Sequence, residues 1–273
     1  METELRTGPP DFVGVGAFGW ASAPWHRLLR RHPDIEDPAY ESPAIHFFDQ
    51  FCLREMTDED VARYHALFPR REGAITGEWT GRYMYDPWTP ELLHRAAPDA
   101  KILIILGDPI DRYLERIAFK AEQGHPEDEL YMADVVGRGR YASQLGALLR
   151  HYDLEQVLVL QHERCRIDPL GEYRRSLRFL GVDEDFVPTR LSRWRGDRDD
   201  RDLRFPTRLE TVKRVAFQAL LRRHDPEPVP LWPELDASLH EELDPEVAGL
   251  KALVPEIDLS LWPNFARARP VAA

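Results

Sequence analysis

A parallel α/β sheet flanked on both faces by helices is the fold this sequence predicts, and three observations carry it. Lys101–Leu106 and Gln156–Gln161 are short apolar runs without the polar alternation of a half-exposed strand. Asp11–Gly16 is a third such run, and it passes through a Gly-rich turn into an amphipathic helix. Segments of helical spacing separate these runs, and strands alternating with helices build a three-layer parallel sheet.

The elements follow in order. After the strand Asp11–Gly16, Pro24–Arg31 reads as a helix, with Ser22 as N-cap and Pro24 in the first turn. Ala44–Phe48 reads as a short second strand with His46 inside it. Asp58–Phe68 is helical, opened by Thr57 or Asp58, and Ile75–Trp79 is a short strand. Thr89–Ala97 is a helix capped by Thr89, with Pro90 at the first helical position. Ile110–Gln123, Gly139–His151 and Asp168–Leu180 are helices, the last ended by Gly181 as a left-handed cap. Asp244–Leu253 is the final helix. Residues 192–206, dense in Arg and Asp, read as a mobile loop, and 254–273 as a Pro-rich tail. All 273 residues read as one domain, long enough to bury a sizeable core.

A net charge of −12 argues against a general nucleic-acid binder, because phosphate backbones need net positive surface. Cys52 and Cys165 stand far apart without a partner motif, and the opening Met1-Glu-Thr-Glu shows no signal pattern. Both point to a reducing cytoplasm. No apolar run approaches the roughly 20 residues that span a bilayer. Arg greatly outnumbers Lys, a bias of GC-rich bacterial genomes. No group of His, Cys, Asp and Glu has metal-ligand spacing.

The Gly-rich turn has the layout that holds a phosphate on backbone N–H groups at a helix N-terminus. It contains no Lys or Thr, and Phe18 and Trp20 stand where a phosphate cradle needs small residues. Gly14-x-Gly16-x-x-Gly19 also spells a dinucleotide fingerprint, with Asp34 and Glu36 at a suitable distance. That fingerprint wants its acid at the end of the next strand, whereas these acids follow His32-Pro33 at a helix-to-loop transition. His46 is either a core histidine or a general acid or base, since neutral imidazole serves both roles near pH 7. Asp49 either orients it or caps the next segment, and the cap is the favoured reading. Asp108 caps the helix after Pro109, and Arg112 is a candidate anion ligand. Trp20, Trp25, Phe47, Phe48, Trp79, Tyr83 and Tyr113 are divided between an apolar substrate pocket and the core.

Taken in order, several blocks resemble the bacterial branch of the PAPS-dependent sulfotransferases over nearly the whole chain. Phe12–Pro33 resembles that family's 5′-phosphosulfate loop and helix, and Ile45-His-Phe-Phe-Asp49 its His-Phe-Phe-Asp strand. Gly77-Glu-Trp-Thr80 with Arg82-Tyr83 resembles its Glu-x-Thr-Pro-x-Tyr segment. Pro98–Leu106 with Asp108-Pro109 and Arg112 resembles its 3′-phosphate strand and turn. Arg138-Gly139 with Tyr141, Val157–Arg164, Arg178–Gly181 and Leu259–Phe265 match later blocks.

The resemblance implies a PAPS site at Gly19, Ser22, Gly107, Arg112, Glu115 and Arg138, with Glu78 and Arg82 beside His46 in the acceptor cleft. It also marks departures. The loop's cation position is Gly19, and the Arg and Ser of the 3′ motif are replaced by Gly107 and Glu115. The Lys-Glu found in many relatives is Pro43-Ala44, which removes their base. Each lost charged contact to a phosphate costs about 1.5–3 kcal/mol. The expectation is therefore an enzyme without a cofactor, whose His46, Glu78 and Arg82 perform acid–base chemistry on a small molecule of bacterial natural-product metabolism. Two alternatives stand beside it: a PAPS-dependent sulfotransferase of hydroxyls or amines, and a non-catalytic pseudoenzyme.

Overall fold

The computed structural model of the chain describes residues 5–17, 22–40, 44–122, 129–189, 191 and 233–266; the side chains of 22, 118–122 and 129–132 lie outside this description. Five parallel strands form one sheet: β1 (Phe12–Gly16), β2 (Ile35–Glu36), β3 (Ile75–Trp79), β4 (Lys101–Leu106) and β5 (Val157–Gln161). Their spatial order is β2-β3-β1-β4-β5. From Ile102 to Leu106, β4 is completely buried, which is why it reads as an unbroken apolar run. From β1 the chain runs to β2 at the sheet edge, comes back to β3, and crosses β1 to reach β4. The connections therefore reverse at β1, where a crevice opens beyond the strand ends.

Right-handed crossovers put the helix after β1 on one face and the helices around β4 on the other. On the first face, α1 (Ser22–Leu29) packs against a helix that follows β5. Trp25 Nε1 donates to Ser176 Oγ at 3.2 Å, and Tyr173 Oη donates to the Leu28 carbonyl at 3.2 Å. The other face carries α2 (Asp58–His65), α3 (Thr89–Ala96), α4 (Pro109–Glu122), α5 (Glu129–Gly137) and α6 (Tyr141–Leu148). After β5 come α7 (His162–Ile167), α8 (Pro169–Leu180) and α9 (Pro233–Leu253), whose Glu246 accepts from the Ser143 amide of α6. Among the described residues, no helix is long and apolar enough to cross a membrane.

Local chemistry sets most boundaries as expected. Thr57 caps α2 in a capping box with Asp60, and Gly181 ends α8 at φ 82°. At α3 the N-cap is Trp88, and Thr89 is already helical. The last helix begins at Pro233, well before Asp244. The larger correction concerns Ala44–Phe48, which is not a strand. His46 adopts a left-handed conformation at φ 55° and opens a 3₁₀ turn over Phe47–Cys52. The amides of this segment bond to side chains from elsewhere in the fold, so no strand ladder forms. Its apolar residues are satisfied by an aromatic cluster in which Phe48 meets Phe51, Tyr64 and Tyr83. The loop 192–206, with Phe18, Gly19 and Trp20, falls outside the described residues.

Candidate active site

His46 sits beyond the end of β3, its side chain 45% exposed, and its Nδ1 lies 3.0 Å from Asp49 Oδ2. Against a carboxylate oxygen Nδ1 donates its proton, so Nε2 presents a lone pair outward. Asp49 therefore orients His46, the role the sequence reading had placed second to capping. The other Asp49 oxygen is hidden from solvent and meets no partner. The left-handed backbone of His46 is uncommon for a residue with a side chain, and such conformations concentrate at functional sites.

Three hydrogen bonds from the fold hold this loop. Thr80 Oγ1 accepts from the amides of Ile45 and His46 at 3.1 and 3.3 Å, and Tyr83 Oη accepts from the amide of Phe47 at 2.8 Å. Behind Thr80 lies Glu78, fully buried, which receives the hydroxyls of Thr80 and Tyr64 at 2.6 Å each. Burial pushes the Glu78 pKa up, against the opposing pull of these bonds. Glu78 and Arg82 point to different partners. Glu78 points into the core, while Arg82 Nε bonds both oxygens of Asp86 at 3.0 Å. Arg82 also feels the charges of Asp49 and Asp134. Next to it, Tyr85 Oη donates to Asp134 at 2.7 Å, and Arg138 pairs with Asp134 at 2.8 Å while covering the Tyr85 ring.

The proposed phosphate side of the crevice is different. Gly14 and Gly16 are small because β3 and its loop pack on them: added Cβ atoms would lie 2.0 Å from Trp79 Cδ2 and 2.7 Å from Met84 Sδ. Glu36 does end a strand, β2, contrary to the sequence reading. That strand pairs with β3 and not β1, however, and Glu36 is held by Arg71, so the dinucleotide reading finds no support. Asp108 caps α4, accepting from the amides of Ile110 and Asp111 at 3.0 and 3.3 Å. Its second oxygen accepts from the Asn264 amide, and its own amide donates to Glu163.

Arg112 is 3% exposed and donates to the Val135 carbonyl, and its Nε meets no acceptor. A phosphate oxygen would suit that Nε. The remaining residues suit a doubly phosphorylated nucleotide poorly: Gly107 has no side chain, Glu115 is an exposed carboxylate, and Arg138 is committed to Asp134. Gly19 and the Ser22 side chain lie outside the described residues.

The aromatic candidates separate by burial. Phe48, Trp79, Tyr83 and Tyr113 are core residues with almost no exposed surface, and Phe47 is half-buried against Phe48, Phe51 and Tyr64. Trp25 is likewise core, and Trp20 lies outside the described residues. A cavity of about 540 Å³ opens instead along Met84, Tyr85, Asp134, Arg140, Ser143 and Gln144, and none of these aromatics lines it. Thr80, Asp86, Asp134 and Tyr85 stand beside these residues, and the sequence reading gives none of them a role. The four-residue spacings of Arg82 with Asp86 and of Asp134 with Arg138 were the available signal. Among the described residues, no group of three or more His, Cys, Asp and Glu could hold a metal ion.

Residues 88–196 match the sulfotransferase domain. The chain is 32% identical over 190 residues to the mouse heparan sulfate glucosamine 3-O-sulfotransferase 6, covering 63% of this chain and 52% of that protein. The human counterpart is 32% identical over 200 residues, covering 65% and 55%. The chain thus spans about half the length of these curated relatives. In fold it is similar to a sulfotransferase from Alicyclobacillus acidocaldarius, with TM-score 0.63 and 24% identity over 93% of this chain and 98% of that one. The sulfotransferase domain from the curacin biosynthetic pathway follows at TM-score 0.52 and 13% identity, over 88% and 99%. Residues 88–196 thus match a sulfotransferase domain, and relatives in sequence and neighbours in fold are likewise sulfotransferases.

Proposed function

We propose that this chain is an enzyme that performs acid–base chemistry on a small molecule at the His46–Asp49 pair, on a sulfotransferase frame that no longer binds PAPS. The observation that carries this reading is the 3.0 Å contact that leaves an exposed imidazole with its Nε2 lone pair outward. Nε2 takes a proton from the substrate, and Asp49 steadies the imidazolium that forms. Arg82 balances charge beside the pair. Cyclisation, elimination and isomerisation need no more than this. The likeness in fold to a domain of the curacin pathway supports a natural-product setting, and two free cysteines suit a reducing compartment such as the bacterial cytoplasm.

A second reading, a PAPS-dependent sulfotransferase of a hydroxyl or amine, is favoured by the matched domain and by the buried, partly unpartnered Arg112. Calorimetric titration with PAP and PAPS at low salt separates the two. No heat up to millimolar nucleotide is expected; micromolar binding would restore the second reading. Substrate screening of wild type against His46→Ala then tests the dyad, and a wild type as inert as the variant would leave a pseudoenzyme.

A further inference from the structure

We propose that Thr80 is a positioning residue for His46, and that Glu78 acts through Thr80 without touching substrate. The inference rests on the His46–Asp49 reading and adds the device that aims the imidazole. A threonine hydroxyl has one proton to give and two lone pairs to share. Thr80 uses all three: its proton goes to Glu78 Oε2 at 2.6 Å, and its lone pairs take the successive amides of Ile45 and His46 at 3.1 and 3.3 Å. Glu78 dictates this arrangement. It accepts from Thr80 on one oxygen and from Tyr64 on the other, so Thr80 must turn its lone pairs toward the loop.

The segment so held includes the one described non-glycine residue with positive φ, His46 at 55°. A left-handed residue with a side chain needs surroundings that over-determine it. Here the amides on either side are both fixed, His46 by Thr80 and Phe47 by Tyr83 Oη at 2.8 Å. The ring then meets Asp49 three residues on, in the 3₁₀ turn that His46 opens. Without Thr80 Oγ1, two successive amides lose their acceptor and the backbone is free to relax out of the left-handed region, carrying the imidazole away from Asp49.

The readout is the ring Nδ1–H resonance of His46 in proton–nitrogen correlation spectra of the full chain, assigned by its loss in His46→Gln. In wild type a downfield Nδ1–H, slow to exchange, is expected. Thr80→Ser keeps the hydroxyl and should keep the signal. Thr80→Val keeps the shape and should lose it, with Nδ1–H exchange at least about fivefold faster, the factor one hydrogen bond commands. Tyr83→Phe, which removes the Phe47 acceptor, should give the same change more weakly and serves if Thr80→Val does not fold. A signal unchanged in a folded Thr80→Val, or in Tyr83→Phe where that variant must serve, overturns the proposal. If wild type itself shows no such signal, the His46–Asp49 reading fails first.

Discussion

Replacing Gly14 with Ala adds a carbon that would stand 2.0 Å from Trp79 Cδ2 and 2.2 Å from Cγ, near the root of the indole. No rotation of a distant side-chain end relieves that contact, so the whole ring must leave its place over β1. Trp79 is buried, and its Nε1 donates to the Gly16 carbonyl at 3.3 Å, a bond the displaced ring would break. Overpacking of this kind costs about 1–3 kcal/mol, and a lost hydrogen bond about 1 kcal/mol more. A total of about 2–4 kcal/mol is a large share of the stability of a typical domain. At about 2–4 °C per kcal/mol for a chain of this size, the melting temperature should fall by roughly 4–16 °C. Scanning calorimetry with urea unfolding measures it. Trp79→Leu removes the colliding ring, so the double variant should lose less than the two single losses added, with a coupling of about 0.5–3 kcal/mol. A Gly14→Ala protein within about 0.5 kcal/mol of wild type, or strictly additive losses, would refute the packing account of this glycine.

Two further predictions concern buried titrating groups. Glu78 has its folded pKa raised by burial, so the folded state holds its proton over a range where the unfolded chain has lost it. Stability from this group is greatest below the unfolded value of about 4.3 and declines as pH rises toward the folded pKa. Glu78→Gln does not titrate, so its urea midpoint should gain on wild type between pH 4 and pH 7; a constant difference contradicts the assignment. Cys165 is buried, with its thiol pKa pushed well up by burial, whereas Cys52 is exposed. A disulfide-exchange dye should therefore titrate Cys52 alone in the native protein and both thiols in denaturant, and Cys52→Ser should abolish the native reaction.

What the sequence could reveal followed from how local each cause is. Lys101–Leu106 announces a central strand because every residue after Lys101 is interior. Thr57 and Gly181 announce helix ends because capping depends on a few adjacent residues. Ile45-His-Phe-Phe misled because an apolar run buried in an aromatic cluster has the same composition as one buried in a sheet. What distinguishes them is Thr80 and Tyr83, more than thirty residues away, which take the amides a ladder would have used. The motif sets Glu78 and Arg82 beside His46. Only tertiary contacts reveal that one faces the core and the other Asp86. The two-residue strand β2 is too short to have a readable period, and it alone accounts for the error over Glu36.

The reversal of connections at β1 has a consequence for how such a chain tolerates change. The imidazole half of the crevice is fastened to the β3 side, through Thr80, Glu78 and Tyr83. The half that would face a phosphate hangs from β4, where Asp108 is tied to Asn264 and Glu163, and Glu163 to Trp262. A substitution within the second set of bonds leaves the first intact. A lineage can therefore let its donor-binding side decay while its proton-handling side stays under separate mechanical control, and a new chemistry can be selected on one bank of the crevice without rebuilding the other.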